Sequence, residues 1–121
     1  MNNAVTLQKV QKTLDATCLT GNPPLSREVA AACASDLMSD VLAFSTPRSI
    51  LLTGLVSPQA VRTAEVADLV AVCFTLNKKP SNETVQMAKD SSITLFVSPY
   101  SLYTASGKLF GAGLPGCTEE P

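Results

Sequence analysis

The segments ILLTGL at residues 50–55, LVAVCFT at 69–75 and ITLFV at 93–97 are short apolar runs separated by polar sequence. Unbroken apolar runs of this length are typical of strands that are buried on both faces of a sheet. After the first run, Ser57 can cap a helix, and the proline that follows it suits the first helical turn. Ser81 begins a second expected helix before the third run. This order of strands and helices indicates βαβ crossovers, and therefore an α/β fold with a largely parallel central sheet and flanking helices.

The sequence ahead of these runs predicts a helix, two strands and a second helix. Apolar residues repeat at helical spacing over residues 6–16, and residues 16–20 read as a short strand that ends in a turn. A second strand is expected over residues 27–34, whose alanines favour a strand only weakly. A helix that runs to Phe44 is expected next.

The sequence after the third run predicts a final helix. Ser98 is followed by proline, which repeats the helix start predicted earlier in the chain. Gly111 and Gly113 lie beyond the last apolar stripe, and we interpret them as helix-terminating glycines. The stretch 111–116 matches the letters G-x-G-x-x-G, but a dinucleotide site needs a strand before this motif and a helix after it.

Length and composition indicate one domain that lacks the usual groups of an enzyme. The 121 residues suit a single α/β domain, expected over residues 1–114, with a disordered tail over residues 115–121. Histidine is absent, which excludes Ser-His-Asp and Cys-His catalysis within the chain. No P-loop motif is present either. We therefore expect a non-catalytic protein with no cofactor and no bound metal.

The charge and the apolar content of the sequence indicate which partners and which cellular location to expect for this protein. The net charge is −1, so no basic field would attract nucleic acid or an anionic membrane. Hydrophobic residues make up 45% and charged residues only 16%, which favours an apolar surface that meets a partner. The start of the sequence has no targeting pattern, and no apolar run is long enough to span a bilayer, so a cytoplasmic location is expected.

The four cysteines show no C-x-x-C pair. They are Cys18, Cys33, Cys73 and Cys117. In a reducing compartment this wide spacing favours small buried hydrophobic residues over a metal or redox cluster.

Polar residues at the carboxyl ends of the predicted strands are the candidate ligand site, since ligands of parallel sheets bind at that edge. Ser35 or Asp36 is expected to cap the helix that ends at Phe44. Asp36 and Asp40 would then share one side of this helix, as a pair of acids or Mg²⁺ ligands would, although acidic residues in a first turn also stabilise the helix dipole. The candidate ligand-binding residues are Ser35, Asp36, Ser39, Asp40, Thr53, Gly54, Ser57 and Ser98.

Two segments carry a family resemblance. With SREV at residues 26–29 and SDLMSDVLA at 35–43, the chain resembles the DRTGG domain family over about residues 7–114. In the stretch that names the family, the arginine is kept as Arg27, serine replaces the aspartate, and alanines at 30–32 replace the threonine and the two glycines. Alanine methyl groups there narrow any space that glycines would leave open. The resemblance implies an α/β domain similar to the amino-terminal domain of HPr kinase/phosphorylase, with a regulatory or dimerising role.

Two functions are therefore expected from the sequence. The first is a stand-alone regulatory domain that forms a homodimer and binds a partner protein or a small metabolite. The alternative is a receptor for a nucleotide or another phosphorylated ligand at the carboxyl ends of the strands. An enzyme that uses Asp36 and Asp40 with a divalent ion is a third class, but two carboxylates without a base, nucleophile or third ligand form a poor site.

Overall fold

The computed structural model describes residues 5–117, which form a twisted sheet covered by helices on both faces. The elements in chain order are β1 (Val5–Thr6), α1 (Leu7–Thr13), β2 (Thr17–Cys18), β3 (Glu28–Val29), β4 (Ala32–Ala34), α2 (Met38–Phe44), β5 (Ile50–Thr53), α3 (Pro58–Val66), β6 (Ala71–Phe74), α4 (Asn82–Asp90), β7 (Thr94–Val97) and α5 (Leu102–Gly111). The predicted α/β class is confirmed.

The main sheet has five strands in the order β2-β7-β6-β5-β4. The strands β4 to β7 are parallel and adjacent in sequence order, whereas β2 pairs antiparallel with β7 at one edge. A separate antiparallel ribbon joins β1 and β3. Because β4 to β7 run in the same direction, their carboxyl ends meet at one edge of the sheet, and the candidate ligand residues follow those ends.

Alternate residues of the central strands pack on opposite faces of the sheet. Leu51 and Val72 belong to the core cluster under α2, α3 and α4, whereas Ile50 and Phe96 belong to the cluster under α1 and α5. Every residue of β5, β6 and β7 is buried, which explains why these strands are apolar without alternation. Each fully buried leucine or phenylalanine side chain contributes about 1.5–3 kcal/mol through removal of apolar surface from water.

The starts of α3 and α4 follow the predicted caps. The Ser57 hydroxyl accepts the backbone N–H of Gln59 at 3.2 Å, and Pro58 is the first residue of α3. The Ser81 hydroxyl accepts the N–H of Thr84 at 3.2 Å at the start of α4. Both caps confirm the prediction, and a cap of this kind typically contributes about 1 kcal/mol.

The stretch 27–34 was expected as one strand, and this prediction is wrong. The chain changes direction at Ala30 and Ala31, so that β3 pairs with β1 while β4 pairs with β5 in the other sheet. The N–H of Ala30 donates to the carbonyl of Arg48 at 2.8 Å between the two strands. Local propensity cannot reveal this division, because both pairing partners lie far away in sequence.

Neither Ser35 nor Asp36 caps α2, contrary to the prediction. The helix begins at Met38, its N-cap residue is Leu37, and no side chain caps it. Because Asp36 lies outside the helix, the expectation that Asp36 and Asp40 share one helix face is also wrong. The predicted end at Phe44 is confirmed.

The final helix starts later than predicted from Ser98. Its N-cap is Ser101, whose hydroxyl accepts the N–H of Thr104 at 3.2 Å. The helix ends at Gly111, and Gly113 has a φ of 101°, a left-handed conformation that favours glycine. The predicted role in ending the helix is confirmed for Gly113, whereas Gly111 is the last helical residue and the C-cap is Ala112.

The cysteines only partly match the expected buried positions. Cys73 is buried, whereas Cys18, Cys33 and Cys117 are half-buried, so the prediction is wrong for these three.

Of the tail expected from residue 115, residues 115–117 pair with the outer edge of β4 through a parallel bridge between Ala32 and Gly116. Residues 118–121 lie outside the described part of the chain. Within residues 5–117, no helix combines the length and apolar character needed to cross a membrane.

Candidate functional site at the carboxyl edge of the sheet

Asp36 connects the end of β4 to the end of β5. Its Oδ1 atom accepts the hydroxyl of Thr53 at 3.0 Å and the backbone N–H of Gly54 at 2.6 Å. The Thr53 hydroxyl in turn accepts the N–H of Leu55 at 3.0 Å. Hydrogen bonds to an ionised carboxylate are stronger than neutral ones, so they hold the loop after β5 in place. The structure thus brings together three of the predicted site residues.

Lys78 brings a positive charge to the same edge. Its Nζ atom lies 3.4 Å from the position that a Cβ on Gly54 would occupy, and both carboxylate oxygens of Asp36 lie 3.5 Å from that position. Lys78 is not among the candidate residues from the sequence, so this neighbour of the site was missed. The available signal was its position in the loop after β6 in a parallel sheet.

The turn that carries Lys78 has an unusual backbone. Leu76 and Asn77 have φ angles of 56° and 55°, in the left-handed region. Their N–H groups donate to the carbonyls of Tyr100 and Ser98, both at 2.9 Å. A left-handed residue other than glycine costs about 1–2 kcal/mol, and such conformations concentrate at binding sites. The Leu76 side chain is 55% exposed, so burial does not explain the conformation.

The free groups at this edge set the chemistry that it can bind. Asp36 Oδ1 is occupied by two donors, while Oδ2 has no hydrogen-bond partner within residues 5–117. Oδ2 can therefore accept a ligand hydroxyl or amine, and Lys78 can pair with a phosphate or carboxylate. The N–H of Gly54 already donates to Asp36 and is not available to an anion. The edge suits a ligand that carries both a hydroxyl and an anionic group.

The hydroxyls of two predicted site residues form hydrogen bonds to backbone groups. The Ser98 hydroxyl is buried, donates to the carbonyl of Leu14 at 2.7 Å and accepts the N–H of Tyr100 at 3.2 Å. The Ser57 hydroxyl caps α3, as described above. These bonds give Ser98 and Ser57 structural roles, and their assignment as ligand contacts stays a prediction.

The remaining predicted residues lie near β4 but are not brought to Gly54 by any hydrogen bond within residues 5–117. The Ser35 hydroxyl accepts the N–H of Leu37 at 3.0 Å and so shapes the loop before α2. Ser39 and Asp40 are exposed on the first turn of α2. Asp40 lines a cavity of about 240 Å³ together with Cys33, Phe44 and Cys117, among others.

An apolar surface surrounds the outer edge of β4. On α5, Tyr103 is 90% exposed and Phe110 68% exposed, and both line a groove of about 710 Å³ that includes Ala32 and Ala34 of β4. On the other side of the strand, Phe44 at the end of α2 is 58% exposed. Residues 115–117 cover the edge of β4 at Ala32, whereas Ala34 at the end of the strand is exposed. We call Tyr103, Phe110, Phe44 and this end of β4 the β4 surface.

A further cavity of about 660 Å³ lies between the two sheets. Arg27 and Arg48 line it together with Glu28 and Val70. Arg27 is the arginine kept from the stretch that names the resembled family, and its guanidinium donates to the carbonyl of Ser92 at 3.3 Å. No pattern in the sequence links Arg27 with Arg48.

Comparison with known proteins shows a relationship of fold. No family model matches the chain, and no curated protein matches it. The structure is similar to the crystal structure of the CBS and DRTGG domains of the regulatory region of Clostridium perfringens pyrophosphatase, complexed with its activator diadenosine tetraphosphate. The TM-score is 0.72 at 20% sequence identity, over 91% of this chain and 47% of that chain. This chain therefore spans about half of that regulatory region and shares the fold of a domain within it.

Proposed function

We propose that this chain is a cytoplasmic, non-catalytic regulatory domain of the DRTGG kind that pairs with a second copy of itself through the β4 surface. The observation that carries the proposal is the exposure of aromatic side chains on both sides of an edge strand. The similarity in fold to part of a regulatory region supports the regulatory role. The domain would act by binding a partner protein or a small metabolite, and pairing would couple two such sites.

The composition of the β4 surface favours a second copy as its occupant. Tyr103 and Phe110 are seven residues apart on α5, so they lie on one face of the helix two turns apart. With a net charge of −1, two copies repel each other only weakly. A two-fold axis beside β4 would bring this aromatic face against its own equivalent, as an isologous interface requires.

The oligomeric state of two matched variants tests the pairing. We expect multi-angle light scattering to give twice the chain mass for the natural protein at micromolar concentration. The double substitution Tyr103→Ser and Phe110→Ser should give a monomer, whereas Val66→Ser, at a 76% exposed position on α3, should leave the dimer intact. A monomeric natural protein, or an equal effect of both variants, would overturn the pairing.

The carboxyl edge of the sheet favours a second function, that of a receptor for a nucleotide or another phosphorylated ligand. Asp36 Oδ2 would accept a ligand hydroxyl, and Lys78 would pair with a phosphate. In the structure with a similar fold, the regulatory region is complexed with a nucleotide activator. Both functions can exist in one protein, because the β4 surface and Lys78 involve different residues.

A thermal-shift screen against nucleotides, sugar phosphates and acyl phosphates tests the receptor function. A ligand at about 100 times its Kd adds about 2.7 kcal/mol to the free energy of unfolding, which raises the Tm of a domain of this size by several degrees. Lys78→Ala should abolish the shift, whereas Lys12→Ala, at an exposed position on α1, should retain it. A shift that survives Lys78→Ala would exclude the carboxyl edge as the site.

A further inference from the structure

Cys33 and Cys117 lie side by side, although 83 residues separate them in sequence. The N–H of Ala32 donates to the carbonyl of Pro115 at 2.8 Å, and the N–H of Cys117 donates to the carbonyl of Ala32 at 3.0 Å. These bonds set a parallel register in which Ala32 is opposite Gly116. The next pair in that register is Cys33 and Cys117.

The register gives the two thiols a geometry that a disulfide can adopt. Opposed residues of neighbouring strands point to the same face and lie about 4.8 Å apart, within the Cα separation of about 4.4–6.8 Å found across disulfides. The two side chains are close enough for the Cys33 thiol to hydrogen-bond to the Cys117 sulfur. The register thus brings the two residues to a separation that a disulfide can span.

The surroundings of the pair favour a reactive sulfur on Cys117. The hydrogen bond from Cys33 lowers the pKa of Cys117 to about 5, and hydroxyls of Ser49 and Thr46 act in the same direction against the effect of burial. The Thr46 hydroxyl donates to the Cys117 sulfur at 3.6 Å. The same contact and burial raise the pKa of Cys33, so Cys117 is the more acidic thiol of the pair. A thiolate is the nucleophile in thiol–disulfide exchange.

Both sulfur atoms are within reach of a small reagent. Cys33 and Cys117 are half-buried and line the cavity of about 240 Å³ beside Asp40 and Phe44. Cys73, by contrast, is fully buried, and Cys18 is at the other edge of the sheet, on β2. The pair therefore differs from Cys73 in access and from Cys18 in position and neighbours.

We propose that Cys33 and Cys117 form a thiol-exchange site that reacts with a low-molecular-weight disulfide of the glutathione class and closes a reversible intrachain disulfide. The Cys117 thiolate attacks one sulfur of the reagent, forms a mixed disulfide and releases the first thiolate. Cys33 then gives its proton to that thiolate and attacks the Cys117 sulfur, which releases the second thiolate. The thiol–thiolate pair loses two electrons and one proton in all, and the reagent is reduced to one thiol and one thiolate, which takes its proton from solvent.

The disulfide would fasten residues 115–117 to the edge of β4. In the reduced protein the parallel bridge and its two backbone hydrogen bonds join the segment to the strand. In the oxidised protein a covalent bond would close a loop of most of the chain, which constrains the unfolded state strongly. Gly116 also lines the groove of the β4 surface, so oxidation would fix one wall of that groove.

Peptide mapping of the full chain tests the proposal. Trypsin cleavage at Arg27, Arg48 and Lys108 separates Cys33 and Cys117 into different peptides, and the other two cysteines fall in two further peptides. The natural protein is incubated with oxidised glutathione without denaturant, blocked with iodoacetamide and digested. We expect one linked pair, residues 28–48 with residues 109–121, and a rise in Tm of roughly 5–15 °C that dithiothreitol reverses.

Two variants keep the result interpretable. Cys18→Ser should leave the 33–117 link and the Tm rise unchanged, whereas Cys33→Ser should stop the reaction at a glutathione adduct on Cys117. Oxidation in urea should give mixed pairings that include Cys18, which shows that the native fold selects the pair. A native protein in which Cys33 and Cys117 both remain free, or in which Cys117 links to Cys18, would overturn the proposal.

Discussion

The carboxylate of Asp36 accepts the backbone N–H of Gly54 at 2.6 Å, and this bond joins the end of β4 to the end of β5. The local sequence pattern predicts Asp36 as a helix cap, but in the structure Asp36 holds the loop after the neighbouring strand β5 in place. The same carboxylate lies close to Lys78, so one residue both fixes the edge of the sheet and faces its candidate ligand site. Substitution of Asp36 therefore affects both the fold at this edge and the candidate ligand site.

Asp36→Ala should lower the free energy of unfolding by about 1–2 kcal/mol, because Thr53 and Gly54 each lose an acceptor. Glu65→Ala, at an exposed position on α3, should change it by less than about 0.5 kcal/mol. Urea denaturation of both variants measures the difference. Equal stability of the two variants would mean that the Asp36 bonds contribute nothing to the fold.

Ser98→Ala should destabilise the protein by about 1–3 kcal/mol, since the buried carbonyl of Leu14 and the N–H of Tyr100 lose their partner. Ser57→Ala should cost about 1 kcal/mol through loss of the α3 cap. Thermal unfolding, monitored by circular dichroism, measures the loss of stability in each of these two variants. If Ser98 were only a ligand contact, its substitution would leave the Tm unchanged.

Gly107→Ala should stabilise the protein by about 0.5–1 kcal/mol. Gly107 is exposed within α5, and a Cβ there would meet nothing within 4 Å. Gly113→Ala is the matched control with the opposite sign, because its φ of 101° strains any residue that has a Cβ. Chemical denaturation of both variants measures the gain in the free energy of unfolding for Gly107→Ala and the loss for Gly113→Ala. A loss of stability in Gly107→Ala would contradict the exposed position of Gly107.

The rate at which Cys117 is alkylated should depend on pH, and this dependence should change when Cys33 is substituted. Because the pKa of Cys117 is lowered to about 5, its thiolate is already formed at pH 7, and the iodoacetamide rate should fall only as the pH drops toward 5. Cys33→Ala removes the strongest donor, so the midpoint should move to higher pH and the rate at pH 6 should fall. Mass spectrometry of the 109–121 peptide measures the rate, with Cys18→Ser as the unaffected control. A midpoint that Cys33→Ala leaves in place would exclude the hydrogen bond as the cause.

The sequence predicts the parallel part of the fold well because β5, β6 and β7 are buried on both faces. Their apolar runs and the caps at Ser57 and Ser81 are local signals, and each is confirmed. The first half resists prediction because β2, β3 and β4 are two or three residues long and are defined by distant partners. For β3 and β4 these partners lie in different sheets, which no local pattern encodes.

The candidate site, like the fold, can be predicted only in part from local sequence. Topology predicts that Asp36, Thr53 and Gly54 gather at one edge, because carboxyl ends of parallel strands meet there. It does not predict the position of the Lys78 side chain, which depends on two left-handed residues in the preceding turn. The proximity of Cys33 and Cys117 depends on a register set by three residues after the last helix.

The two edges of the parallel part of the main sheet, β7 and β4, are covered by segments from opposite parts of the chain. The early strand β2 pairs with β7, and the late residues 115–117 pair with β4. During synthesis on the ribosome, β4 therefore has no covering segment until after α5 has been made. An uncovered strand edge can add strands from other chains and so start aggregation. In the interval before residues 115–117 emerge, the edge of β4 is thus open to pairing with strands of other chains.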